Sequence, residues 1–267
     1  MTEQVEIEPY YGETDQGKRF AIATYSRSQT LGGVIFIPPF AEEMNKSRRM
    51  AALTSCALAK RGWHVLRFDL KGCGDSHGDF GDSTWVDWLD DISFWVTQLR
   101  ERTNGPILIW GMRAGALLAS AWLQEHKAEF PLILWQPVTS GQQHLNQFLR
   151  LRAAAEMLDA GQARGVVTDL KAQLSAGQTV AVAGYNLNPD IANSLSIAQL
   201  KLPADYQSPI SVLEVLPNAQ TSPSPAVIRL AKSWQDSNVS MSLSTVVGPA
   251  FWRTVEIETL PELIDAT

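Results

Sequence analysis

A chain of 267 residues that is 45% hydrophobic is long and apolar enough to bury a sizeable core, which excludes a disordered protein. Its net charge of −6, with lysines and arginines scattered, leaves no basic face for nucleic acid or an anionic membrane. No apolar run approaches the ~20 residues of a membrane span, and Met1 to Glu6 do not read as a leader, so a cytoplasmic protein is expected. Cys56 and Cys73 fall on a helix and in a loop, and two free thiols suit a reducing compartment.

In chain order, Val5 to Glu8 and Phe20 to Tyr25 alternate weakly and predict two antiparallel edge strands. Val34-Ile35-Phe36-Ile37 is continuously apolar, as a strand buried on both faces requires, and Pro38-Pro39 ends it. A helix is expected from about Ser47 to Arg61, a strand over His64 to Leu70, and a glycine-rich loop over Gly72 to Gly78. Trp85, Trp88, Ile92, Trp95 and Leu99 recur at helical spacing between Ser83 and Arg102 and predict a core-facing stripe. Pro106 to Trp110 and Pro131 to Trp135 are further strands, so βα units recur through the middle of the chain.

The rhythm breaks from about Gly141 to Tyr206, where helical pattern dominates around one strand-like stretch, Val180 to Gly184. Asn188-Pro189 marks a helix start by cap and first-turn proline, and Ser224-Pro225 marks another. Strands over Ile210 to Val215 and Val239 to Val247 resume the core. The expected division is a core over 1–140, a cap insert over 141–207, and the rest of the core over 208–267.

Between strand and helix the chain reads Gly111-Met112-Arg113-Ala114-Gly115, the spacing of a nucleophile elbow with arginine at its centre. Together with the strand order and the insert, this elbow resembles the α/β-hydrolase fold: a mostly parallel central sheet, helices on both faces and a mainly helical cap. Stretches such as Pro38 to Arg49, Gly72 to Ser76, Trp110 to Arg113, Trp135 to Val138 and Gly248 to Trp252 resemble the exosortase A system-associated hydrolase 2 family. That resemblance implies a hydrolase by fold in an exopolysaccharide and protein-sorting context, with a partner from that system.

The triad of the fold runs nucleophile, acid, histidine in chain order. Here those places hold Arg113, the stretch Pro217 to Ser222 with Glu214 still in the strand before it, and Gly248 to Trp252. His64, His77, His126 and His144 all precede the last strand. Arginine cannot be deprotonated to attack a carbonyl, so serine-triad hydrolysis is not expected and a pseudoenzyme is. Arg113 at the positive end of a helix calls for a negative partner: Glu42 or Glu43 from the neighbouring loop, or a small anionic or saccharide-related ligand. The expected binding set is Arg113, the amides of Ala114 and Ala41, Glu42, Glu43, Gln136, Phe251 and Trp252, with Arg150 and Arg152 as further cap cations or a solvated face.

The alternatives are a remodelled hydrolase or an acyl or glycosyl transferase using Cys73, paired with His77, or Glu42 and Glu43, and a purely structural interaction protein. Asp75 and Ser76 are expected to hold their loop, and the aromatics at Trp135, Phe251 and Trp252 to fill the space of the missing histidine. Histidine spacing suggests no metal and Gly72 to Gly78 no dinucleotide, so no cofactor is expected.

Overall fold

The computed structural model describes residues 4–27, 30–160 and 165–267; the first three residues of the amino-terminal stretch read above lie outside them. The chain opens with a hairpin in which β1 (Val5–Thr14) and β2 (Gly17–Ser26) pair antiparallel along their whole length. Both are longer than their alternation predicts, because each supplies the other's hydrogen bonds and cross-strand contacts. Then follow β3 (Gly32–Ile37), α1 (Glu42–Lys60), β4 (Trp63–Phe68), α2 (Trp85–Arg102), β5 (Ile107–Met112), α3 (Gly115–His126) and β6 (Leu132–Trp135). Next come α4 (Gly141–Ala160), α5 (Val166–Ser175), β7 (Val180–Val182), β8 (Tyr185–Leu187) and α6 (Pro189–Ile197), and last β9 (Ile210–Leu216), α7 (Pro225–Asp236), β10 (Met241–Val247) and α8 (Pro261–Asp265).

The main sheet has the order β1-β2-β4-β3-β5-β6-β9-β10. Only the β1–β2 and β2–β4 pairs are antiparallel; from β4 to β10 every neighbour is parallel. Period-two alternation splits the buried strands between two cores. Ile35, Ile37, Ile109 and Leu134 join the α2 stripe of Trp88, Ile92, Trp95 and Leu99 on one face. Val34, Phe36, Trp110 and Trp135 pack with Met50 and Leu58 of α1 and Leu263 of α8 on the other. This is the α/β-hydrolase fold expected above.

Local chemistry explains where the elements depart from expectation. α1 begins at Glu42, five residues earlier than predicted, with Glu42 and Glu43 in its first turn, where the helix dipole favours carboxylates. α2 starts at a capping box in which Thr84 Oγ1 accepts from Asp87 N at 3.1 Å and Thr84 N donates to Asp87 Oδ2 at 2.8 Å. The single strand expected over Val180 to Gly184 is a hairpin, because Ala183 (φ 49°) and Gly184 (φ 85°) form a two-residue turn between β7 and β8. Asn188 caps α6, accepting from Ile191 N at 2.9 Å, and its amide nitrogen donates to Gly81 O at 2.8 Å and Ser83 O at 2.6 Å. The segment between β6 and β9 is thereby tied to the loop before α2.

Candidate active site

β5 and α3 meet at Arg113, whose φ of 54° is left-handed. A non-glycine residue there carries strain of about 1–3 kcal/mol, and its neighbours show why the turn is nonetheless tight. A β-carbon on Gly115 would lie 2.3 Å from Ile37 O, and one on Gly111 would lie 3.0 Å from Ala116 Cα. The strand-to-helix turn is closed by Arg113 N donating to Trp135 O at 3.0 Å and by Arg113 O accepting from Val138 N at 3.1 Å.

The Arg113 side chain is buried. Its Nε donates to both carboxylate oxygens of Glu43 at 3.2 Å, Nη2 donates to Oε1 at 3.1 Å, and Nη1 donates to Gln136 O at 3.3 Å. The guanidinium lies 5.5 Å from the centre of the Trp252 ring, and a second cation, Arg253, approaches Glu43 Oε1 at 3.7 Å. Of the two acids offered by the sequence, Glu43 takes the arginine because of helical phase. With Ser47, Met50 and Thr54 it lies on the buried side of α1.

Glu42, one residue earlier, faces a chamber of about 420 Å³ above this pair. Phe40, Phe148, Leu151 and Trp252 form apolar walls, and His144 from the first turn of α4 completes the inner surface. Lys46, Arg150 and Arg253 line the same space. Three of these residues carry buried polar atoms without a partner: Glu42 Oε2, both ring nitrogens of His144, and Trp252 Nε1. Burial raises the Glu42 carboxyl above the usual range, with adjacent Glu43 adding to it. The same effect holds His144 neutral, its imidazole pushed down to about 4. His144 stands edge-on to Phe40, ring centres 5.9 Å apart. Chain order gave no sign of it, since the fold's usual histidine follows the last strand and this one comes from the insert.

The expected binding residues are divided among four places. Glu42, Glu43 and Trp252 line the chamber, with Arg113 beneath. Ala41 and Ala114 instead line a narrow apolar cavity with Leu70, Cys73, Phe80 and Trp88. Gln136 is turned into the sheet, its side-chain oxygen accepting from Val215 N at 2.6 Å. Phe251 is fully buried between Trp135 and Trp252, at ring distances of 6.2 and 5.0 Å, which is the filling role.

The thiol alternative fails on geometry. Cys73 is buried, and desolvation followed by the charges of Asp69 and Asp91 pushes its thiol up to about 12, so no thiolate exists near neutral pH. His77 is exposed beside Gly17. Ser76 holds its loop as expected, donating to Asp69 O at 2.6 Å and accepting from Phe20 N at 2.9 Å, whereas Asp75 contributes its backbone amide, which donates to Asp69 Oδ2 at 3.0 Å. Glu214 accepts from Ser224 N and Oγ at 2.8 Å each and so anchors the start of α7. Arg152 pairs with Glu156 at 2.6 Å on a solvated helix face, while Arg150 points to the chamber.

Residues 30–201, more than half of the chain, match the family described as serine aminopeptidase, S33. The chain belongs to that family. Among curated relatives, it is 31% identical over 96 residues to palmitoyl-protein thioesterase ABHD10, mitochondrial, from Homo sapiens and from Bos taurus. The match takes in 36% of this chain and 28% of the relative, so the chain spans less than a third of the length of those proteins. Among solved structures, Est1E from Butyrivibrio proteoclasticus with bound ferulic acid superposes with a TM-score of 0.66 at 16% identity, covering 96% of this chain and 95% of that one. A thermostable carboxyl esterase from Bacillus coagulans gives 0.57 at 13% identity, over 91% and 90%.

These findings correct several expectations. The stretches that resembled exosortase A system-associated hydrolases belong to an S33-family chain with thioesterase relatives, so the exosortase and exopolysaccharide context and its protein partner are withdrawn. The pseudoenzyme, and with it the binding protein defined by a missing triad and an improbable serine-type hydrolysis, is overturned by the same family membership. That expectation took the residues at three positions for the whole of the chemistry. The cytoplasmic location is withdrawn as well, since the curated relatives are named as mitochondrial. Among the described residues, no helix is long and apolar enough to cross a membrane.

Proposed function

We propose that this chain hydrolyses an acyl ester or thioester in the chamber above the elbow. One observation carries the reading: the unpartnered buried atoms of Glu42, His144 and Trp252 all belong to residues that line this one space. A buried polar group without a partner costs about 1–3 kcal/mol, and three residues bearing that cost around one cavity fit a substrate that pays it back. The chemistry follows from their protonation. Glu42, with its raised pKa, is a better general base than an ordinary carboxylate and takes a proton from the attacking water. The neutral His144 imidazole and the Trp252 indole each offer an N–H to the carbonyl oxygen as charge develops there. The carboxyl of Glu42 then returns its proton to the departing alcohol or thiol.

The Arg113–Glu43 pair is the positioning element beneath this site. It joins the first turn of α1 to the elbow and so fixes where Glu42 stands. Residues 1–140 and 208–267 act as the core, and 141–207 as a cap whose contribution to chemistry is His144. The ester and thioester chemistry of the named relatives supports the substrate class, and the apolar walls suit the acyl part of a small substrate that bears negative charge elsewhere.

A panel of 4-nitrophenyl esters and acyl thioesters tests the reading. The expected result is saturable turnover that falls about 100-fold or more in Glu42→Gln, with a smaller loss in His144→Phe and both variants folded. Absence of turnover over the whole panel would overturn it. So would a folded Glu42→Gln variant that retains native turnover.

A further inference from the structure

The chamber is electrically lopsided in a chain of formal net charge −6. Below it Arg113 and Glu43 neutralise each other, which among the described residues leaves Glu42 as the only other acid in its wall against Lys46, Arg150 and Arg253. These cations come from three separate places: α1, α4 and the segment after β10. Among the described residues Arg150 forms no ion pair, and Lys46 Nζ donates only to the Arg253 carbonyl, at 3.4 Å. Arg253 approaches Glu43 Oε1 at 3.7 Å and donates to Gln147 Oε1 at 3.1 Å, and its side chain is 56% exposed.

Depth orders the site. Phe40, His144, Phe148 and Trp252 are buried, whereas Arg150 and Arg253 are exposed at the mouth and Lys46 is half-buried. An acyl group that enters first meets the aromatic walls, its carbonyl carbon comes beside Glu42 and His144, and the leaving group stays among the cations. We propose that the chamber recognises a thiol leaving group bearing phosphate, which rests on the chamber being the hydrolytic site. A single carboxylate engages one cation at a time. Several phosphate oxygens engage two arginine forks and a lysine together. In the reaction the acyl C–S bond breaks, a C–O bond forms from water, one proton passes through Glu42 to sulfur, and a carboxylic acid and a free thiol result.

Binding and turnover test this separately. In calorimetry with the full chain, 4′-phosphopantetheine is expected to bind at least tenfold more tightly than pantetheine, which differs from it only in lacking phosphate, and added salt should narrow the ratio. Arg150→Gln and Arg253→Gln should each reduce that ratio about fivefold, converting roughly one exposed charge-assisted contact into affinity. A ratio within twofold of unity overturns phosphate recognition. In turnover, hexanoyl-coenzyme A is expected to exceed the uncharged hexanoyl thioester of N-acetylcysteamine in kcat/KM by a similar factor. Phosphate-dependent binding with neither thioester cleaved refutes the hydrolytic reading alone, and equal cleavage of both with equal binding refutes the phosphate preference alone. A phosphopantetheinylated carrier protein that displaces coenzyme A at lower concentration assigns the phosphate to a protein-borne thiol, and the reverse order assigns it to the free one.

Discussion

Replacing Glu43 by leucine keeps the approximate volume of the side chain and strands the Arg113 guanidinium under the chamber. Arg113 is 7% exposed, and two of its three donor nitrogens rely on Glu43, with Nη1 on Gln136 O as the remaining hydrogen bond. Losing one partner of a buried ion pair costs about 3–5 kcal/mol, because the other charge has no water to return to. Glutamine at 43 retains one acceptor, so Glu43→Gln belongs below that range, at about 2–3 kcal/mol. For a chain of this size each kcal/mol lowers Tm by about 2–4 °C, so Glu43→Leu should melt roughly 6–20 °C below the native protein. The double variant Arg113→Met/Glu43→Leu removes both charges and should recover to within about 1–2 kcal/mol of native, since buried pairs are often replaceable by apolar groups. Urea unfolding of the native protein, Glu43→Leu, Arg113→Met and the double variant supplies the double-mutant cycle. A single-variant cost below about 1 kcal/mol, or losses that simply add in the double variant, would refute the assignment of this pair as a desolvated unit.

Three further outcomes follow from the same geometry. Cys73 should resist thiol reagents at pH 8 in the folded protein and react only on denaturation, as counted by labelling stoichiometry, because burial pushes its thiol to about 12. Stability should fall as pH drops from 6.5 to 4. His144, facing Glu43, Arg113 and Arg253, and His64, stacked on Tyr25, are both pushed down to about 4, so in that window the unfolded chain binds protons that the folded one refuses. Native-minus-variant unfolding free energies for His144→Phe should show a change on the order of 3 kcal/mol across it, and no pH dependence of that difference would contradict the burial. Asn188→Ala removes the cap of α6 and both bonds to Gly81 O and Ser83 O, and should cost about 2–3 kcal/mol, with faster amide exchange in α6 as the local sign.

Much of the framework was legible because it rests on local pattern. Short, continuously apolar runs marked β3, β5 and β6, the stripe from Trp85 to Leu99 marked α2, and the glycines at 111 and 115 marked the elbow, where close backbone approach leaves no room for a β-carbon. The choice between Glu42 and Glu43 needed the phase of α1. A helix read from Ser47 left both acids in a loop, whereas a helix from Glu42 turns Glu43 inward and Glu42 toward the chamber. His144 was invisible for a different reason: 31 residues and two elements separate it from the elbow, and only the folding back of α4 over the sheet brings it beside Phe40. Gln136 and Phe251 misled in the opposite sense. Their neighbours in sequence lie near the site, but a left-handed backbone at Gln136 (φ 42°) and close packing around Phe251 turn both away from it.

The pH dependence of kcat/KM for an acyl thioester, measured for the native protein and for Glu42→Gln, tests the central claim most directly. The account predicts a native rate that rises through an apparent pKa above the ordinary carboxylate range and then levels, and a Glu42→Gln rate at least about 100-fold lower that lacks this step. An unchanged profile in Glu42→Gln, or no turnover by the native protein at any pH, would contradict it.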